Sequence, residues 1–131
     1  MVPMTHRFIL DTGPAFDFLF NRRDVQAHVE AVRQTGAKVG ICTPVLGEIM
    51  GGLENSSSRQ VSFGIARRRL AKLVCWHYEK AAALEFGRIV AELKRAGRPM
   101  QQIDIQIAAI AFSLGNAPSY LGILTSRRLR D

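Results

Sequence analysis

Three acidic side chains stand alone in otherwise uncharged stretches of this sequence. Glu48 is the only charged residue between Val39 and Leu53, and Asp104 the only one between Pro99 and Ser126. Between Phe8 and Phe20 there are only Asp11 and Asp17. A carboxylate carried into an apolar segment is expensive unless it meets a cation or keeps access to water. If Asp11, Glu48 and Asp104 converge, carboxylates about 5 Å apart repel by roughly 3 kcal/mol per pair at an effective dielectric near 20. A divalent ion removes that cost. Oxygen ligands without His or Cys select a hard cation, Mg²⁺ or Mn²⁺. Such ions activate water and stabilise charge on a transferring phosphoryl group. Each acid also has a plainer reading: Asp11 as a helix N-cap, Glu48 as a surface acid, Asp104 as a partner of a helix dipole. Asp17, in mid-helix, is expected to be an ordinary exposed residue.

The elements that would position these acids follow from apolar patterning. Phe8–Leu10 reads as a buried strand ending at Asp11. Pro14 suits the first position of a helix running to about Asn21. Asp24 to Gln34 has helical spacing, with Val25, Val29 and Val32 on one face and Gly36 as the stop. Val39–Thr43 is a second strand, followed by a helix from Val45 to about Leu53 after Pro44. Glu54–Ser58 is a loop and Arg59–Lys72 a basic helix, and Leu73–Trp76 is a third strand. Lys80–Ala96 is amphipathic, with Ala83, Phe86, Ile89, Val90 and Leu93 inward. Gln102–Leu114 is a nearly all-apolar, buried helix. Tyr120–Thr125 is a last strand. Short apolar strands alternating with helices imply an α/β fold with a parallel sheet of four to five strands covered on both faces, in three layers, over a single domain spanning 1–131. The functional crevice of such a sheet lies at the carboxyl ends of the strands. Asp11 and Glu48 both map there, and Asp104 joins them if its helix starts at that edge.

The 131 residues carry 18 Lys and Arg against 11 Asp and Glu, a net charge of +7. Residues 1–65 sum to zero, so the excess lies wholly in 66–131, in Arg67-Arg68-Arg69 with Lys72 and in Arg127-Arg128 with Arg130. This asymmetry points to a polyanion, because Lys and Arg displace counterions from phosphates. An acidic metal pocket beside a basic surface fits phosphodiester hydrolysis, with Arg67, Arg68, Arg69 and Arg127 gripping a nucleic-acid backbone, which would be RNA if the resemblance given below holds. Thr12, Thr43, Thr125 and Ser126 are candidates for orienting ligands or water. The composition, 47% hydrophobic, excludes disorder. No apolar run is long enough for a membrane span, and no signal peptide is evident. The chain is expected to be cytoplasmic, with Cys42 and Cys75 as reduced core thiols. Two Cys and three scattered His show no zinc-ligand spacing.

The motifs also resemble those of PIN-domain proteins, specifically VapC-type toxins of bacterial toxin–antitoxin pairs. FILDTGPAFDFL is similar to the family's first acid motif, on Asp11 and Thr12. ICTPVLGEIMGGL is similar to the second, on Thr43, Glu48 and Gly51 or Gly52. FGRIVAELKRAGRPMQQIDIQIAAIAFSLGN resembles the helix, turn and third-acid helix, on Asp104. The resemblance covers residues 8 to about 125. It implies a metal-dependent ribonuclease with a PIN-like α/β/α fold, dimeric and inhibited by a cognate antitoxin. Asp11, Glu48 and Asp104 would then be both catalytic residues and metal ligands.

The C-terminus departs from the family pattern. The family usually has Thr-x-Asp or Thr-x-Asn after the last strand. Here position two beyond Thr125 is Arg127, and the nearest acid is Asp131. Three readings stay open. Asp131 swings in as a fourth ligand; or three acids with Thr12 or Ser126 suffice; or the tail is divergent or truncated and activity is impaired. The alternative function is therefore a catalytically impaired module that binds RNA or antitoxin. A phosphate-accepting receiver domain fits poorly, because it needs paired acids after the first strand and a Lys after the last.

Overall fold

The computed structural model describes residues 6–114 and the backbone of 121–124. The chain runs β1 (Arg7–Leu10), α1 (Thr12–Leu19), α2 (Val25–Gln34), β2 (Lys38–Cys42), α3 (Thr43–Glu54), α4 (Arg59–Leu70), β3 (Val74–Trp76), α5 (Lys80–Arg95), α6 (Gln102–Ser113) and β4 (Leu121–Leu124). The strands form one sheet in the order β3-β2-β1-β4, with every pairing parallel. Parallel strands need crossovers that carry helices onto the sheet faces, and the result is the expected α/β fold. All strand starts share one edge of the sheet, the amino edge. All strand ends share the other, the carboxyl edge.

The central strands are apolar on both faces, which is why their sequences do not alternate. Ile9 and Leu10 of β1 and Val39, Ile41 and Cys42 of β2 are buried. Gly40 is required where it stands. A Cβ there would lie 2.2 Å from the Val74 carbonyl oxygen and 3.0 Å from Cζ3 of Trp76. The helices complete the core with Ala15 and Leu19 of α1, Val29 of α2, Val45 and Ile49 of α3, and Ile107 and Ile110 of α6. Helices α5 and α6 pack on each other, and α3 packs on α1, α4 and α6.

Several expectations are corrected in detail. Helix α1 starts at Thr12 and ends at Leu19, because the Asp11 side chain already caps it, accepting from the Thr12 amide. The turn after α1 holds Asn21, Arg23 and Asp24 at positive φ. That conformation costs roughly 1–2 kcal/mol per residue outside glycine, and it stops the helix before Asn21. Asp17 is buried at 6% exposure, with Arg23 at 3.6 Å across its mouth. In α5 the inward face is Ala82, Phe86, Ile89, Val90 and Leu93, while Ala83 points to solvent. Phe16, Phe18 and Phe20 are expected from the sequence to supply apolar area to a dimer interface; Phe18 is instead part of the core, whereas Phe16 and Phe20 are half-buried and stack at 6.2 Å. Cys42 is buried and Cys75 only partly so, and both are free thiols. No described helix is long and apolar enough to cross a membrane.

Candidate active site at the carboxyl edge

The site is assembled by the residues that immediately follow β1 and β2. Asp11 leaves the end of β1 and caps α1, with one carboxylate oxygen 2.8 Å from the Thr12 amide. The Thr12 hydroxyl donates to Glu48 Oε1 at 2.6 Å, bridging α1 to α3. Glu48 stands in the second turn of α3 and is exposed. Thr12 is thus the pivot, touching the first acid through its amide and the second through its hydroxyl. The positive end of the α1 dipole favours both anions, since Asp11 caps that helix and Glu48 meets its first residue.

Asp104 comes to the same edge on α6, which packs on α3. It lies in the first turn of α6 and is partly buried. At the other end of α6, Arg7 Nη1 donates to the Leu114 carbonyl at 2.9 Å. Arg7 opens β1, so this contact pins the end of α6 to the amino edge and leaves its start at the carboxyl edge. The Asp104 carboxyl is pushed above its ordinary value, chiefly by burial and then by the negative charges of Asp11 and Glu48. The three acids therefore lie within electrostatic reach of one another. None of them forms a salt bridge among the described residues.

The donor set fits a hard divalent cation, since it is all oxygen, anionic and without a described counter-cation. The spacing is open, however. Among the described residues no three His, Cys, Asp or Glu side chains stand close enough together to hold a metal ion. Glu48 is instead turned onto Thr12, and a bound cation would compete with that hydrogen bond.

Thr43 begins α3 at the same edge. Its hydroxyl oxygen accepts the Tyr78 amide at 3.0 Å, tying down the loop after β3. This latch was not visible in the sequence, since 35 residues separate its partners. Cys42, just before Thr43, is pushed up to about 11, first by burial and in smaller part by Cys75 and Asp11. It is an inert thiol beside the acids. Gly52 is the close-packed glycine of the pair at the end of α3. A Cβ there would lie 2.9 Å from Phe16, whereas nothing lies within 4 Å of one on Gly51.

Arg67, Arg68 and Arg69 are not brought to the acids. They occupy the last turn of α4, and Arg69 Nη1 donates to the Leu19 carbonyl at 2.7 Å. Leu19 ends the helix that Asp11 caps, about 12 Å away along the axis. Thr125, Ser126, Arg127 and Asp131 lie outside the described residues.

No protein-family profile matches the chain. A tRNA(fMet)-specific endonuclease VapC of Shigella flexneri is 31% identical over 110 residues, covering 83% of this chain and 81% of that protein. The chain belongs to the VapC family. Ribonuclease VapC2 of Haemophilus influenzae is 28% identical over 125 residues, covering 95% of this chain and 89% of the relative. A crystal structure of DNA-bound VapBC from Salmonella typhimurium superposes with a TM-score of 0.78 at 26% identity, covering 98% of this chain and 92% of that one. The similarity to these VapC proteins runs over nearly the whole described domain, including all three segments that carry the acids.

Proposed function

We propose that the chain is a Mg²⁺- or Mn²⁺-dependent endoribonuclease, the toxin of a type II toxin–antitoxin pair, acting in the cytoplasm. It would hydrolyse RNA phosphodiester bonds at Asp11, Glu48 and Asp104. The observation that carries this reading is the Thr12 bridge, whose amide meets Asp11 at 2.8 Å and whose hydroxyl meets Glu48 at 2.6 Å, bringing two acids to the carboxyl edge with no described salt bridge to either. The named relatives are ribonucleases or tRNA endonucleases, which supports the reaction class.

Asp11, Glu48 and Asp104 would hold the cation, whose charge offsets their repulsion and lowers the pKa of bound water. Asp11 is fixed by its cap on α1, so it presents its remaining oxygen from a rigid position. Thr12 holds the Glu48 side chain and sets its approach. Thr43 acts at one remove, by fixing the loop after β3 through Tyr78. A cognate antitoxin is expected as partner, because the Salmonella structure is a VapBC complex. A homodimer is expected as well, with half-buried Phe16 and Phe20 supplying apolar area.

Cleavage of total RNA in Mn²⁺ tests the proposal. The wild type should cut, and EDTA should abolish cutting. Asp104→Asn should lose more than about 100-fold, since losing even a residue that supports a metal ligand costs about 10–100-fold. RNA binding should survive in the variant. Equal cleavage by both proteins rejects the metal site. No cleavage by wild type at any concentration, with binding intact, selects the impaired module instead.

A further inference from the structure

A second concave site sits on the amino edge, enclosed by α1, α2 and the link from α4 to β3. It has a volume of about 250 Å³ and is lined by Phe18, Gln26, Glu30, Arg33, Arg69 and Lys72. Three of the six are cations and one is an acid. That space has room for several waters at about 30 Å³ each. Sequence patterning groups Arg69 with Lys72 but could not add Arg33, which comes from a helix more than 30 residues earlier.

The two arginines are anchored rather than loose. Arg69 holds the Leu19 carbonyl at 2.7 Å, and Gln26 Nε2 holds the Phe18 carbonyl at 2.8 Å. Arg33 Nη2 donates to the Lys72 carbonyl. Each guanidinium carries five N–H donors in a planar fork. One described bond per arginine orients the fork and leaves most of its donors for a ligand. Glu30 forms no salt bridge with any of the three cations among the described residues. Arg67 and Arg68, beside Arg69 in the last turn of α4, and Lys38, at the start of β2, are exposed as well.

Its position separates this pocket from the acids. Arg33 lies five residues before β2 begins, and Lys72 two before β3 begins. Strands of four to five residues put about 13–17 Å between the two edges. The carboxyl edge carries the acids and the amino edge the cations.

We propose that the Arg33–Arg69–Lys72 pocket binds backbone phosphate of single-stranded RNA, several nucleotides away from the bond that is cut. Planar guanidinium forks match phosphate oxygens bidentately. A domain that engages single strands commonly contacts about 4–16 nucleotides, enough to reach a second edge. This inference rests on the ribonuclease reading for the identity of the ligand. The pocket itself rests only on the geometry.

The test is fluorescence anisotropy of a labelled single-stranded RNA with the full chain, in EDTA, across a salt series. For single strands the slope of log K against log salt is about −0.7 per phosphate neutralised. Arg33→Gln with Lys72→Gln should weaken binding and make the slope shallower by about 1.4. Lys72→Gln alone, whose side chain makes no described bond, should give about half that change and guards against misfolding. Glu30→Gln should tighten binding roughly two- to fivefold, the scale of one exposed charge pair. Arg59→Gln, at the far end of α4, should leave the slope unchanged.

An unchanged slope in Lys72→Gln and in the double variant overturns the proposal. So does an equal change in Arg59→Gln, which would reduce the effect to net charge. Loss of antitoxin binding with RNA binding intact also overturns it and assigns the pocket to an acidic protein segment. Wild-type cleavage is assayed separately in Mn²⁺. Cleavage with unmoved slopes sinks the pocket alone, and moved slopes without cleavage sink the nuclease reading alone.

Discussion

Gly40→Ala puts a single methyl group where the sheet has no space. The added Cβ would sit 2.2 Å from the Val74 carbonyl oxygen, 2.9 Å from its carbonyl carbon and 3.0 Å from the Trp76 ring. Two of these neighbours are backbone, so no rotamer change relieves the contact. Reaching an ordinary separation needs β3 to move by about 1 Å against a normal strand spacing of about 4.8 Å. Overpacking of this kind costs about 1–3 kcal/mol. The β2–β3 register, Gly40 with Val74, Ile41 with Cys75 and Cys42 with Trp76, is strained with it. A loss of about 2–3 kcal/mol is expected, equivalent to a drop in Tm of about 10 °C for a domain of this size. Because β3 leads into the loop held by Thr43 and Tyr78, RNA cleavage should fall as well. Gly51→Ala is the control, since its Cβ meets nothing within 4 Å inside helix α3. It should gain about 0.5–1 kcal/mol from helix propensity. Thermal unfolding of both variants decides the matter. A Gly40→Ala protein that melts with the wild type would refute the β2–β3 register and the placement of Tyr78 that depends on it.

Other consequences are as direct. The Asp104 carboxyl has a higher pKa in the folded protein than its ordinary 3.8, so the native state holds more protons than the unfolded one in that window. Stability should therefore fall as pH rises through the window above 3.8. Asp104→Asn should abolish this component and be the more stable protein at neutral pH. Denaturant midpoints of the two proteins from pH 4 to 8 check the sign, and a gap that shrinks as pH rises would reverse it. Cys42, buried and raised to about 11, should resist a thiol reagent at pH 8 in the native state, with Cys75 reacting first. Rapid labelling of Cys42 in folded protein would contradict its burial. Arg69→Met removes the guanidinium from the Leu19 carbonyl and should cost about 1–3 kcal/mol in thermal unfolding, the scale of a hydrogen bond to a charged donor. A variant as stable as wild type would show that the carbonyl is satisfied otherwise.

Much of the architecture was legible because burial on both faces of a parallel strand leaves short, continuous apolar runs. Phe8–Leu10 and Val39–Cys42 could hardly be anything else, Gly36 and Pro99 punctuate the chain between elements, and Pro44 sits in the first turn of α3. The acids were legible for the same reason, since a lone charge in an apolar segment demands an explanation. Side-chain placement within an element was harder. Ala82 and Ala83 are indistinguishable by type, and the packing of α5 on α6 chooses between them. Asp17 looked exposed because helical spacing carries no record of Arg23 closing over it from an αL turn. The basic cluster was found, but its position was not. Charge counts along a chain do not say which edge of the sheet a helix ends on. Arg33 and Lys72 become neighbours only once β2 and β3 are paired.

The most direct test of the acidic site is Mn²⁺ titration calorimetry on wild type, Glu48→Gln and Asp104→Asn. Asp11, Glu48 and Asp104 acting as one ligand set predicts saturable binding by wild type and at least about tenfold weaker binding by each variant. Indistinguishable isotherms for the three proteins, or no heat with the wild type, would contradict it.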